Sequence, residues 1–200
     1  MKVVLIYPPF CPPTVMPYSI SSLKGFLDKT GVQAKCIDLN AKLHTMMFPD
    51  LYQRLKGADP GAFPSLLEEF EATARPLYAA NNKKVVRGEK PDFADDLLSL
   101  ITQEKPDLVA FSLVYSSQCF YATVLLEELT KKGIRCVAGG PAVSGKIRQL
   151  CTCLENVDEL NSHISKLENI PPAQLPTDAV PNFTDYCQDN YFAIEPIIPL

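Results

Sequence analysis

Continuous apolar runs and helical stripes alternate along this chain. Lys2–Pro8 (KVVLIYP) is an unbroken apolar run rich in β-branched residues, the pattern of a strand covered on both faces. A proline-rich loop follows. Tyr18–Gly31 (YSISSLKGFLDKTG) then sets Ile20, Leu23 and Leu27 on one helical face, with Pro17 at its first turn and Gly31 at its end. Val32–Asn40 (VQAKCIDLN) reads as a second strand. The alternation returns at Asp92–Pro106 (DFADDLLSLITQEKP), an amphipathic helix stopped by proline, and at Asp107–Val114 (DLVAFSLV), another buried strand. Ser116–Gly133 (SSQCFYATVLLEELTKKG) predicts a helix with Tyr121, Val124, Leu125 and Leu129 as its stripe and Ser116 or Ser117 as its cap. Ile134–Gly140 (IRCVAGG) is a fourth strand, Gln149–Leu154 (QLCTCL) a short fifth, and Asn156–Leu167 a closing helix.

Strands alternating with helices predict an α/β fold with a parallel sheet between two helical layers. Right-handed crossovers make the expected form a doubly wound, mostly parallel five-stranded sheet, Rossmann or flavodoxin-like, in the order 2-1-3-4-5. Two segments fall outside that pattern. Residues 41–90 are far longer than a crossover needs, and Ala41–Gly57 and Ala62–Lys84 both look helical, so they read as a helical insertion capping one edge of the site. Residues 170–200 form an extended, proline-rich tail. Its Phe183, Tyr186, Tyr191, Phe192, Ile194, Ile197 and Ile198 require a surface, either their own domain or a neighbour.

Composition narrows the function classes. A length of 200 residues suits one domain with an appended segment, and 46% hydrophobic residues supply a core. The net charge of −4 argues against nucleic acid as a partner. No apolar run approaches the ~18 residues that span a bilayer. Pro8 and Pro9 cut the first run short and no small-residue cleavage site follows, so a cytoplasmic protein without membrane contact is expected. The seven cysteines are odd in number and scattered through apolar runs, which reads as reduced core thiols. Cys151 and Cys153 stand alone as a close pair, short of the four ligands zinc requires. His44 and His163 fall on helices with no ligand spacing around them, so no metal site and no catalytic residue is expected.

In doubly wound sheets a ligand sits at the carboxyl ends of the strands, where strand order reverses. The segments arriving there are unusual. They are Pro8, Pro9 and Phe10 after the first strand, Asp38 and Asn40 at the end of the second, Ser112–Gln118 after the third, and Gly139, Gly140 and Pro141 after the fourth. Small hydroxyls at Ser112, Ser116 and Ser117 and bare backbone at Gly139 and Gly140 suit a flat or bulky ligand lying on the main chain. A tight turn explains Gly-Gly-Pro equally well. The dinucleotide fingerprint and the P-loop are both missing.

These residues resemble a known family. YPPFCPPTVMPYSISSLKGFLDKTG, then DLN, then LVAFSLVYSSQ, then VAGGPAVSG are similar to the N-terminal cobalamin-binding-type domain of radical S-adenosylmethionine proteins. The tail LPTDAVPNFTDYCQDNYFAIEPIIPL looks like that family's lead-in to its radical barrel. The resemblance implies a cobalamin-binding domain over residues 1–169 and a linker over 170–200. It also implies a methyltransferase-type parent enzyme whose barrel lies beyond Leu200. It assigns Ser112, Leu113 and Val114 to the corrinoid's nucleotide tail and Gly139 and Gly140 to its passage. Pro8 to Pro13 and Tyr115 to Gln118 would approach the ring's lower face.

Two departures bear on this reading. The family's D-x-H-x-x-G after the first strand is replaced by PPFCPP, so no histidine from this loop would hold cobalt. The C-x-x-x-C-x-x-C of the 4Fe-4S cluster is absent from these 200 residues, so the cluster and S-adenosylmethionine belong, by the resemblance, to the missing barrel. The alternative is a cofactor-free docking or substrate-presenting domain of the same kind of protein. A free-standing flavodoxin-like enzyme is a third option, weakened by the lack of acid/base or nucleophile signatures. The expected partners are the barrel domain and a corrinoid small molecule.

Overall fold

In the computed structural model residues 1–59, 61–174 and 176–191 are described. Five strands, β1 (Lys2–Tyr7), β2 (Gln33–Asp38), β3 (Leu108–Ser112), β4 (Arg135–Gly139) and β5 (Thr152–Leu154), form one parallel sheet in the order β2-β1-β3-β4-β5. The expected α/β architecture and strand order are both present. The order reverses between β1 and β3, so the loops after these two strands diverge and leave a cleft.

The pleat explains why the strands read as unbroken apolar runs. Val4, Ile6, Val109 and Phe111 face one layer, with α2 (Leu39–Met47), α5 (Ala94–Gln103) and α6 (Gln118–Lys131) packed against them. Val3, Leu5, Leu108 and Ala110 face the other, under α1 (Tyr18–Lys29) and α8 (Val157–Glu168). Alternate residues of each strand are therefore buried in opposite layers, and no polar position interrupts the run.

Several boundaries differ from the sequence reading. The second strand stops at Asp38, whose Oδ1 accepts from the Ala41 amide at 2.9 Å and so starts α2 inside the expected strand. The insertion contains two helices where Ala41–Gly57 suggested one. α2 ends at Phe48, and α3 (Pro49–Lys56) begins with a proline whose missing N–H suits a first turn. α4 (Phe63–Val86) runs through Pro76. A short helix, α7 (Gly145–Leu150), occupies the start of the expected fifth strand and leaves β5 three residues.

The described part of the tail lies along its own domain. Tyr186 and Phe183 pack with Met16, Ala41 and Tyr191. Asn182 donates its backbone N–H to Ser21 O (2.9 Å), and Asp185 accepts the Cys36 N–H on the open edge of β2 (2.8 Å). Lys24, buried beneath, pairs with Asp185 at 3.3 Å. Phe192, Ile194, Ile197 and Ile198 lie outside the described residues. Among the described residues no helix is long and apolar enough to cross a membrane. All seven cysteines are free thiols.

Candidate functional site

The loops after β1 and β3 are tied together by Gln118, the first residue of α6. This side chain is fully buried. Its Oε1 accepts from the Val114 and Tyr115 amides (2.7 and 2.9 Å), and its Nε2 donates to Pro8 O (2.8 Å). Ser117 donates through Oγ to Phe10 O (2.6 Å). Neither Ser116 nor Ser117 caps α6 with its side chain, contrary to the sequence expectation. The hydroxyl of Ser117 is spent across the cleft, and the buried amide of Gln118 serves the loop amides. Ser112 donates through Oγ to Ser19 Oγ (2.9 Å), fixing the end of β3 to the first turn of α1.

Phe10 turns inward. It is 1% exposed, stacks on Tyr78 of α4 (4.2 Å between centroids, 23°) and meets Tyr121 edge-on at 4.8 Å. Tyr78 is also held through its hydroxyl by His44 Nε2, while His44 Nδ1 faces Asn40 O at 2.6 Å. The carbonyl can only accept, so Nδ1 carries the proton and Tyr78 donates to Nε2. Burial holds His44 down to about 4, which keeps the ring neutral in this chain of contacts.

At the end of β2, Asp38 is buried, with Oδ2 accepting from Tyr191 OH at 2.8 Å. Burial pushes its carboxyl up to about 6, against the pull of the Ala41 amide and the Tyr191 hydroxyl. A carboxyl raised above its ordinary value binds its proton more tightly when folded. Its contribution is full below about pH 4 and is lost as pH rises through the folded value. Between about pH 4 and about pH 7 the wild type is expected to lose roughly 3 kcal/mol relative to Asp38→Asn, measured by denaturant unfolding at the two pH values. Equal slopes for the two proteins would refute it.

Two cavities open at this end of the sheet. The larger, about 980 Å³, lies over the β1–β3 reversal between the two loops and α4, and its lining is mostly apolar. The smaller, about 220 Å³, runs beside β3 and β4 under α1 and α8. Ser19 borders both. The glycines at its rim answer first to the chain itself. Gly140 has φ +109°, and a Cβ there would stand 2.3 Å from the Leu113 carbonyl. A Cβ on Gly139 would meet Leu154 O at 3.0 Å.

The sequence-expected residues divide into three groups. Phe10, Asn40, Val114, Tyr115, Ser116 and Ser117 border the larger cavity. Ser112, Gly139 and Gly140 border the smaller. Pro8, Pro9, Asp38, Leu113, Gln118 and Pro141 border neither; among them Pro8, Asp38 and Gln118 hold the loops by the bonds above. Sequence reasoning did not single out the wall supplied by Leu67, Phe70, Glu71, Ala74, Arg75 and Tyr78 of α4. Their signal was the apolar spacing of Leu67, Phe70, Ala74 and Tyr78, which marks one helical face without naming what it covers. Among the described residues no group of three or more His, Cys, Asp or Glu is placed to hold a metal ion.

No family model matches the sequence, and no curated protein matches it. A similar solved structure is the radical S-adenosylmethionine methyltransferase TsrM from Kitasatospora setae, with tryptophan substrate and a SAM analogue (aza-SAM) bound. The two are 14% identical with a TM-score of 0.37, over 70% of this chain and 19% of that one. This chain thus spans about a fifth of that protein's length.

Proposed function

We propose that this chain is a cobalamin-binding module of a radical S-adenosylmethionine protein of methyltransferase type. The observation that carries the reading is the pair of neighbouring cavities at the strand-order reversal, broad and apolar above the strand ends and narrow beside β3 and β4, with Ser19 bordering both. Sites at such reversals are the usual ligand positions of doubly wound sheets. A macrocycle with a pendant nucleotide suits a wide chamber beside a slot. The order of motifs along the sequence supports the same assignment.

The residues present fit a corrinoid held without a histidine or thiolate from the first loop. Cys11 borders the larger cavity, but burial raises its thiol to about 11, so it stays protonated near neutral pH and is a poor metal ligand. Both ring nitrogens of His44 are taken by Asn40 O and Tyr78 OH. A bound corrinoid supplies a cobalt centre that carries and transfers a methyl group. This chain's part is to hold it. Ser112, Gly139 and Gly140 would flank its tail, the α4 wall would close its edge, and the apolar lining would exclude water.

A second reading is a cofactor-free docking domain. It is favoured by Tyr18 and Tyr115, 42% and 51% exposed, which stand at the mouth of the larger cavity as aromatic surface open to a protein partner. Mixing the protein with hydroxocobalamin, gel-filtering and recording the visible spectrum separates the two. A protein fraction carrying stoichiometric corrinoid absorbance is expected. A colourless fraction at high protein concentration rejects the corrinoid reading in favour of docking.

A further inference from the structure

We infer that the side-chain amide of Asn40 is a ligand-binding donor, its Nδ2 hydrogen-bonding a neutral acceptor oxygen such as an amide carbonyl on the rim of a bound corrinoid. This rests on the corrinoid reading and adds a recognition contact to it. Asn40 is the second residue of α2, is 1% exposed and borders the larger cavity. Its amide orientation is fixed by chemistry. The Cys11 backbone N–H can only donate, and it lies 2.9 Å from Oδ1, so the atom facing it is oxygen and the NH2 group turns away from the Cys11 loop. The residue's own carbonyl is engaged by His44 Nδ1, which holds the first turn of α2 in place.

Among the described residues no protein acceptor takes Nδ2. Nδ2 is not among the fully buried atoms left without a partner, so this NH2 keeps the little accessible surface Asn40 has, at the edge of the cavity the residue borders, where an acceptor on a ligand can meet it. The surroundings select its charge. Tyr7 and Cys11 share one hydrogen bond at 3.5 Å beside the same cavity, and burial raises both, so both stay neutral. The nearby Asp38 carboxyl is occupied by the Ala41 amide and the Tyr191 hydroxyl and does not border the cavity. A floor of neutral groups beside the Asn40 NH2 suits a carbonyl. A carboxylate there would lose its hydration with no buried cation to balance it. Corrinoids carry neutral amide arms around the ring, which matches this demand.

The test uses the 200-residue chain, ¹⁵N-labelled, titrated with hydroxocobalamin. Asn40→Asp keeps an oxygen for the Cys11 N–H and removes the donor. It is expected to weaken binding by about 10–100-fold, read from the visible spectrum. In the wild type, the Asn40 side-chain NH2 resonances, identified by their absence in Asn40→Asp, are expected to shift on binding. Should Asn40→Asp fail to fold, Asn40→Ser replaces it for the assignment, and the wild-type shift decides. Wild-type binding with an unmoved NH2 pair and an unchanged affinity in the variant overturns the inference and leaves the corrinoid reading standing. A wild type that binds no corrinoid overturns both.

Discussion

Gln118→Ala is expected to cost roughly 3–6 kcal/mol of folding stability and to free the loop after β3. The side chain satisfies three backbone groups at once, the Val114 and Tyr115 amides and the Pro8 carbonyl, from a fully buried position. A single hydrogen bond contributes only about 1 kcal/mol net, but a buried group left without its partner costs about 1–3 kcal/mol. Truncation strands three such groups and opens a void beneath them, so the effect exceeds that of an ordinary polar-to-alanine change. Denaturant unfolding measures the total. Amide exchange at Val114 and Tyr115 locates it, because these two protons should exchange much faster in the variant. Unchanged protection there would mean that the loop is held by something other than Gln118.

Gly25→Ala is expected to detach the tail while leaving the sheet folded. Alanine is the better helix former by about 1 kcal/mol, so an isolated α1 would gain from the change. Here the added Cβ would stand 1.9 Å from Val180 O, a distance that no rotamer adjustment relieves because the obstacle is backbone. Moving the tail aside forfeits the contacts of Asn182 with Ser21, Tyr186 with Ser21, Asp185 with Cys36 and Tyr191 with Asp38. Four hydrogen bonds at about 1 kcal/mol each outweigh the helical gain. Limited proteolysis is the appropriate measurement. Cleavage within 178–191 should accelerate at least tenfold, with circular dichroism of the remainder nearly unchanged. Equal cleavage rates would show that the helix and tail accommodate the methyl group.

The strand order was legible because each strand is an apolar run whose neighbours in sequence are helices, and crossover handedness then leaves few arrangements. The face of the sheet that carries the cavities followed from the same reasoning. The inside of the site was less legible. Phe10 follows two prolines in a loop and so reads as available to a ligand, but its ring is consumed by Tyr78, a residue 68 positions away on a helix whose docking no local pattern specifies. Gln118 reads as a residue in the first turn of a helix near the site, and its three partners appear only once two distant loops converge. Gly140 reads as space for a guest, whereas its first obligation is to the Leu113 carbonyl and its positive φ. Asn40 was visible as a polar residue at a strand end. The orientation of its amide depends on the Cys11 backbone, which periodicity does not reveal.

The tail's position bears on the order in which this molecule is built. β1, α1 and β2 are complete within the first 38 residues, yet the outer edge of β2 and the flank of α1 receive their cover from residues 178–191. The cover of this N-terminal unit therefore waits until residues 178–191 have been made. Such long-range pairings are slow to form, and until they do the Cys36 amide and the Gly25 surface remain open to other chains.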